Sequence, residues 1–205
     1  MLLLKDGPEK APVKIILAHG AGAPMDSPFM VCFAEKLGAL GVSVVRFEFP
    51  YMQKRRDEGT KKPPDRQPKL LECWKEVIEQ ERQSDQKLVI GGKSMGGRMA
   101  SLIADEVGAD GLVCLGYPFY APGKMDKPRT EHLEDIKCPT LIVQGERDSM
   151  GAKENVAAYN LSSAITLSWL TDGDHSFKPR KKSGLTEEGN WDEGVQAVEQ
   201  FLKTL

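Results

Sequence analysis

The sequence contains little of what would indicate a metal site, a disulfide scaffold or a membrane span. Its 205 residues include four cysteines and three histidines, and no two cysteines form a C-x-x-C pair. This dispersal disfavours a zinc site and favours reduced thiols in a cytoplasmic protein. The start, MLLLKDGPEK, has a three-leucine run without a basic region before it. We therefore expect neither a signal peptide nor a membrane-bound protein.

An excess of charge of one sign is also lacking. The chain has 28 basic and 30 acidic side chains, for a net charge of −2, so composition predicts no general attraction to nucleic acid or to an anionic membrane. The length suits one domain, residues 1–205, that buries roughly 70% of its unfolded surface. We expect a monomer or small homo-oligomer that acts on a small molecule.

Apolar segments typical of strands alternate with amphipathic segments typical of helices. This alternation predicts an α/β fold with a mostly parallel sheet of about six strands and helices on both faces. The polar segment 51–68 is predicted to be a loop, and 117–137 an irregular connection with at most one short helix. Strands are predicted at residues 13–18, 42–49, 87–91, 111–115, 140–144 and 165–170.

The segment KLVIGGKSMGGRMAS at 87–101 is open to two interpretations. Gly-Lys-Ser after an apolar strand is how a phosphate-binding loop ends, but the first glycine of that motif would fall on Lys87. Gly92–Gly96 instead match G-x-S-x-G, the nucleophile elbow between a strand and a helix. Helical spacing from Met95 onward favours the elbow, with Ser94 as nucleophile, although a serine here would also cap a helix.

Two further side chains would complete a catalytic triad. A serine hydroxyl is a poor nucleophile unless a base takes its proton and an acid orients that base. His175 in DGDHSF and Asp148 in QGERD each follow a predicted strand. The order Ser94, Asp148, His175 is the one found on α/β-hydrolase sheets. Asp172 and Asp174 remain alternatives for the acid, although both lie on the histidine's own turn.

The glycine turn HGAG at 19–22 has a chemical use. Acyl transfer develops negative charge on an oxygen, which two backbone N–H groups stabilise by about 3 kcal/mol each. Met95, which follows the predicted nucleophile, is expected to supply one N–H of this oxyanion hole. Ala21 is expected to supply the other, with Gly22 as the alternative. His19 and His132 are predicted to be structural histidines.

Five motifs carry a resemblance to a known family: HGAGAPMDSP at 19–28, GGKSMGGRMAS at 91–101, RTEHL at 129–133, QGERD at 144–148 and DGDHSF at 172–177. Together they resemble the α/β-hydrolase superfamily, in its dienelactone-hydrolase-like branch. The sequence looks most similar to small bacterial hydrolase-like proteins related to a testis-expressed protein and to a histone acetyltransferase complex subunit. The resemblance implies a minimal α/β-hydrolase fold without a cap domain. It also implies a serine hydrolase acting on an ester, thioester or related acyl bond without metal or organic cofactor, or alternatively a non-enzymatic scaffold.

Basic residues are concentrated in two segments that follow predicted strands. Segment 54–66 has six basic and three acidic residues, and 178–182 has four basic residues. If both surround Ser94, with a contribution from Arg129, the substrate is an acyl compound with a carboxylate or phosphate. The alternative is that these are solvated loops whose lysines only aid solubility. Arg98 is predicted to be a packing or ion-pair residue. Aromatic residues are expected to form the walls of the substrate site: Tyr51, Tyr117, Phe119 and Phe177.

Overall fold

The computed structural model describes residues 2–205 and contains a single seven-stranded sheet. All six predicted strands are confirmed, with boundaries that differ by a few residues, and one further strand lies near the amino terminus. The strands are β1 (Leu3–Asp6), β2 (Val13–Ala18), β3 (Ser43–Phe47), β4 (Lys87–Lys93), β5 (Gly111–Leu115), β6 (Thr140–Gly145) and β7 (Ile165–Leu170).

The strand order is β1-β3-β2-β4-β5-β6-β7, and every pair is parallel except β1 with β3. Strand β1 was not predicted, because it has only four residues and none of its side chains is fully buried. It pairs with β3 alone, so it forms the edge of the sheet. The mostly parallel order confirms the expected fold class and brings the carboxyl ends of β2 to β7 to one edge.

Six helices flank the sheet, and the connection after β5 contains only a 3₁₀ turn at Glu131–Leu133, so there is no cap domain in residues 2–205. None of these helices combines the length and the apolar character needed to cross a bilayer. The helices are α1 (Pro28–Ala39), α2 (Pro50–Glu58), α3 (Gln67–Glu81), α4 (Met95–Ser101), α5 (Lys153–Val156) and α6 (Glu187–Leu202).

Helix α2 lies within the segment that was predicted to be a loop. It begins with Pro50, whose fixed φ suits the first helical position, and it ends at Gly59 in the left-handed conformation. Only Tyr51 and Met52 of this helix are buried. Because two adjacent apolar residues in a highly charged segment produce no amphipathic pattern, the hydrophobic spacing gave no helical signal.

The two faces of the sheet bury separate apolar clusters. Alternate residues of β2 point to opposite faces, so Ile16 packs with the cluster that includes α3 and α4, while Ile15 packs with the cluster that includes α1 and α6. Trp74 on α3 and Phe33 on α1 are fully buried on their respective faces. The sheet is therefore covered on both sides, and loops at the carboxyl ends of its strands are left to form a site.

Helix α4 approaches the backbone of β2 so closely that its contact residues must lack a side chain. A Cβ atom on Gly96 would lie 2.5 Å from the carbonyl oxygen of Ala18 and 2.6 Å from that of His19. A Cβ atom on Gly92, at the end of β4, would lie 2.1 Å from the same Ala18 oxygen. The glycines of the elbow motif are therefore explained by packing between β2, β4 and α4.

The substitution Gly96→Ala is expected to lower the free energy of unfolding by about 3 kcal/mol, because the added methyl group meets backbone atoms that cannot move aside cheaply. Urea-induced unfolding measures the change. Gly22→Ala is the matched control, since a Cβ atom there has no heavy atom within 4 Å. Equal stability of the two variants would contradict the packing account of the elbow.

His132 ties the connection after β5 to helix α4, as expected of a structural histidine. Its Nε2 lies 2.8 Å from Ser101 Oγ, and that hydroxyl donates to the carbonyl oxygen of Arg98 at 2.7 Å. Since the hydroxyl proton is used in this way, Nε2–H is the donor to Ser101. Burial, together with the smaller effect of the positive charge of Arg98, lowers the pKa of His132 to about 4.

Lowering the pH from about 6.5 to about 4 is expected to destabilise the fold in part through His132. The folded-state pKa of His132 is below the ordinary value of 6.5, so the unfolded chain binds more protons in this window and stability falls as the pH falls. His132→Gln keeps a hydrogen-bonding side chain without this titration. Its urea midpoint should fall less between pH 7 and pH 4.5 than that of the wild type, and an equal fall would refute the assignment.

Candidate active site

Ser94 lies at a sharp turn between β4 and α4. Its φ of 50° and ψ of −115° are unusual for a residue with a side chain, and such strained conformations are found where a fold fixes a functional group. Its backbone N–H donates to the carbonyl oxygen of Leu115 on the neighbouring β5 at 3.0 Å. The turn therefore matches the geometry expected of a nucleophile elbow, and it leaves the hydroxyl at the sheet edge.

Three side chains from three strand ends are joined by hydrogen bonds. Ser94 Oγ lies 2.9 Å from His175 Nε2, and His175 Nδ1 lies 2.7 Å from Asp148 Oδ2. A carboxylate only accepts, so Nδ1 carries the proton and Nε2 is free to accept from the serine hydroxyl. The side chain of His175 is 25% exposed, whereas that of Asp148 is fully buried. The structure thus brings together the residues that the sequence analysis singled out.

The alternative acids do not contact the imidazole. Asp174 Oδ1 accepts hydrogen bonds from the backbone N–H groups of Ser176 and Lys178, at 2.7 and 3.0 Å, and so stabilises its own turn. Asp172 forms ion pairs with Arg147 and Arg180. The Arg180 guanidinium holds the pKa of the Asp172 carboxyl at about 2. Both aspartates therefore contact groups other than the imidazole.

Gln144, the residue before the last position of β6, has a supporting role that was not predicted. Its fully buried amide nitrogen donates to Asp148 Oδ2 at 2.9 Å, and its amide oxygen accepts from the N–H of Tyr117 at 2.7 Å. The N–H of Met150 donates to the other carboxylate oxygen of Asp148 at 2.8 Å. Asp148 is therefore held in one orientation by three donors, including His175. The only sequence signal was a polar residue within an otherwise apolar strand.

Lys93, immediately before Ser94, contacts the loop that bears His175. Its Nζ donates to the backbone carbonyl oxygen of His175 and lies 5.3 and 5.5 Å from the ring centroids of Phe29 and Phe177. Burial lowers the pKa of Lys93 to about 8, although Asp148 counteracts this effect. The lysine thus fixes the histidine loop against β4, which a sequence pattern does not reveal.

The glycine turn after β2 is held from behind by two buried side chains. His19 Nδ1 donates to Gly20 O at 2.6 Å, and His19 Nε2 accepts from Phe49 N–H at 3.1 Å, so His19 is structural as predicted. Burial lowers the pKa of His19 and favours this neutral form. Tyr51 Oη donates to the carbonyl oxygen of Ala21 at 3.0 Å. The turn is therefore fixed in position by groups outside the site.

Two backbone N–H groups near Ser94 are available to a ligand. Met95 is the first residue of α4, where an N–H has no partner within the helix. Ala21 lies in the exposed turn, and its N–H donates to no other group among residues 2–205. Both residues line the same cavity as Ser94, and so does Gly22. Their assignment to an oxyanion hole remains a prediction that this arrangement permits.

Ser94 and His175 open into a cavity of about 820 Å³. Its apolar lining comes from helices and loops on both sides of the sheet edge: Phe29, Met30, Leu70, Met99, Met150 and Trp191.

The prediction that four aromatic residues form the walls of the substrate site is wrong. Tyr51, Tyr117, Phe119 and Phe177 are each at most 2% exposed, and none of them lines the cavity. They belong to the apolar clusters that support the loops, because those loops fold back onto the helices.

The two basic segments also do not surround the cavity. None of the basic side chains of 54–66 or 178–182 lines it. Several are neutralised by carboxylates on the surface: Arg56 by Glu48 and Asp26, Lys62 by Glu58, Lys178 by Glu187, and Arg180 by Asp172. The cations that do line the cavity are Lys93, Arg98 and Arg129.

Comparison with solved structures shows the same fold. An alpha-beta serine hydrolase homologue from Coxiella burnetii is 20% identical with a TM-score of 0.71, over 99% of this chain and 90% of that one. A serine hydrolase without a lid from Xanthomonas campestris is 23% identical with a TM-score of 0.66, over 95% and 87%. Est1E from Butyrivibrio proteoclasticus, bound to ferulic acid, is 18% identical with a TM-score of 0.67, over 97% and 95%.

A family model described as the alpha/beta hydrolase domain matches residues 11–203. This match covers nearly the whole chain and includes six of the seven strands, the elbow and the loops that bear Asp148 and His175. The dienelactone-hydrolase-like branch and the relation to a testis-expressed protein stay predictions. The chain belongs to the alpha/beta hydrolase domain family.

Proposed function

We propose that the protein is a serine hydrolase that cleaves a carboxylic ester, thioester or related acyl bond through an acyl-enzyme. The main observation in favour is the hydrogen-bonded series from Ser94 through His175 to the buried Asp148. The side chains of Ser94 and His175 line an open cavity. A large cavity with a few convergent polar groups is the usual form of a small-molecule site.

In the acylation step, Ser94 Oγ attacks the carbonyl carbon of the substrate while His175 Nε2 accepts the hydroxyl proton. Asp148 keeps the imidazole in the required tautomer and stabilises the imidazolium that forms. The negative charge that develops on the carbonyl oxygen is stabilised by the N–H groups of Met95 and Ala21. When the carbon–oxygen or carbon–sulfur bond breaks, His175 returns the proton to the leaving group.

In the deacylation step, water replaces the serine as nucleophile. His175 Nε2 accepts a proton from the water as it attacks the acyl carbon, and then returns it to Ser94 Oγ as the ester bond to the enzyme breaks. The cavity is open because residues 2–205 contain no cap domain. Water therefore reaches the acyl-enzyme directly, and the acid is released by the same route.

The substitution Ser94→Ala is expected to abolish labelling by a fluorophosphonate probe and to lower the hydrolysis of small activated esters by roughly 10⁶. Ser101→Ala is the matched control, because Ser101 also contacts a histidine, His132, but neither lines the cavity. Gel fluorescence and a p-nitrophenyl acetate assay report the two effects. An unlabelled wild type would favour the scaffold alternative, and labelling that survives Ser94→Ala would refute the assigned nucleophile.

The substitution Asp148→Asn is expected to lower kcat by about 10⁴, because the amide disturbs the tautomer of His175. Asp174→Asn is the matched control on the histidine's own loop, since its carboxylate contacts backbone N–H groups and not the imidazole. Steady-state kinetics with an activated ester measure both. A larger loss of kcat for Asp174→Asn than for Asp148→Asn would show that the acid is misassigned.

A further inference from the structure

Two arginines line the cavity without an acidic partner. Arg98 lies on α4 and Arg129 in the connection after β5, and both are partly buried. Within residues 2–205, neither guanidinium has a carboxylate oxygen within 4.0 Å. Arg98 Nε is also buried without a hydrogen-bond partner. A partly desolvated cation that lacks a counter-ion costs free energy, which an anionic ligand would offset.

The other charged groups of the cavity have partners, apart from one oxygen of Asp65. Asp65 Oδ1 pairs with Lys69 at 2.9 Å while its Oδ2 is buried without a hydrogen-bond partner, and Glu187 lies 3.5 Å from Lys178. Lys93 donates to a backbone carbonyl oxygen. Of the two roles predicted for Arg98, packing or an ion pair, the residues 2–205 provide no ion pair, and the side chain is partly buried. The free positive charge of the cavity is concentrated on the two arginines.

The two arginines line the same cavity as Ser94. The backbone N–H of Arg98 donates to the carbonyl oxygen of Ser94 at 3.0 Å, so Arg98 lies in the first turn of α4, directly after the serine. The backbone of Arg129 is fixed, since its N–H donates to Phe119 O at 2.7 Å and its carbonyl oxygen accepts from Tyr117 Oη at 2.9 Å. Burial lowers the pKa of Arg98, Tyr117 opposes this, and the positive charge of Arg129 lowers it further.

We infer that Arg98 and Arg129 form a subsite for a carboxylate on the substrate whose acyl bond is attacked by Ser94. The inference rests on the proposed function and narrows its substrate to a carboxylated ester or thioester. Guanidinium groups suit this ligand because their planar donors match the two oxygens of a carboxylate.

Matched ester pairs test the subsite. Mono-p-nitrophenyl adipate and p-nitrophenyl hexanoate differ by a carboxylate on the acyl side, and 4-acetoxybenzoate and its methyl ester differ by one on the alcohol side. The readout is the ratio of kcat/KM within each pair, after correction for spontaneous hydrolysis. We expect the wild type to prefer the carboxylated ester by about 10- to 100-fold in at least one pair, the range of charged hydrogen bonds.

Three variants assign the preference to the arginines. Arg98→Gln and Arg129→Gln should each move the ratio toward one, and Arg98→Lys should retain part of it. Lys182→Gln, which removes an exposed charge outside the cavity, should keep the wild-type ratio. Because the ratio compares two substrates of one enzyme preparation, a general loss of activity or folded protein cancels.

Two results would overturn the subsite. One is a wild-type ratio near one in both pairs, and the other is a preference that the arginine variants leave unchanged. If the neutral esters are hydrolysed and Ser94 is labelled in such an experiment, only the subsite is refuted. If no ester is hydrolysed and Ser94 is not labelled, the proposed function itself fails and the subsite fails with it.

Discussion

The contact between helix α4 and the backbone of β2 is the constraint on which the site depends. Only glycine at positions 92 and 96 allows this approach, since a Cβ atom at either would lie within 2.5 Å of the Ala18 carbonyl oxygen. Because α4 packs against the end of β2, the chain turns sharply at Ser94, whose φ is 50°. The same contact puts Met95 at the start of the helix, and Met95 and Ala21 line the same cavity as Ser94, so the proposed nucleophile and the proposed N–H donors share one site.

The second requirement is a buried acid that remains fully hydrogen-bonded. Asp148 has no solvent exposure, and its carboxylate accepts from His175, Gln144 and the backbone N–H of Met150. An unpaired carboxylate at this depth would be costly, so these donors fix its orientation as well as compensate its burial. Lys93 fixes the other side of the histidine loop. The imidazole is thus held between β4, β6 and β7.

The sequence predicted the parts of the molecule that depend on local patterns. Six strands, the elbow at Ser94 and the chain order of Asp148 and His175 follow from periodicity and from turns at strand ends. Features set by tertiary packing were missed. Tyr117 was predicted to form a wall of the substrate site, yet its connection folds onto the core. Arg98 is one turn from Ser94 in any helix, but its lack of an ion pair depends on which carboxylates the fold brings near.

The central claim is that Ser94 attacks a carbonyl whose oxygen is held by Met95 and Ala21. The most direct measurement is a crystal structure of the protein after reaction with diethyl 4-nitrophenyl phosphate, whose tetrahedral adduct resembles the acyl-transfer intermediate. We expect phosphorus bonded to Ser94 Oγ, with the phosphoryl oxygen about 2.7–3.1 Å from the backbone nitrogens of Met95 and Ala21. An unmodified Ser94, or a phosphoryl oxygen that points away from both nitrogens, would contradict the claim.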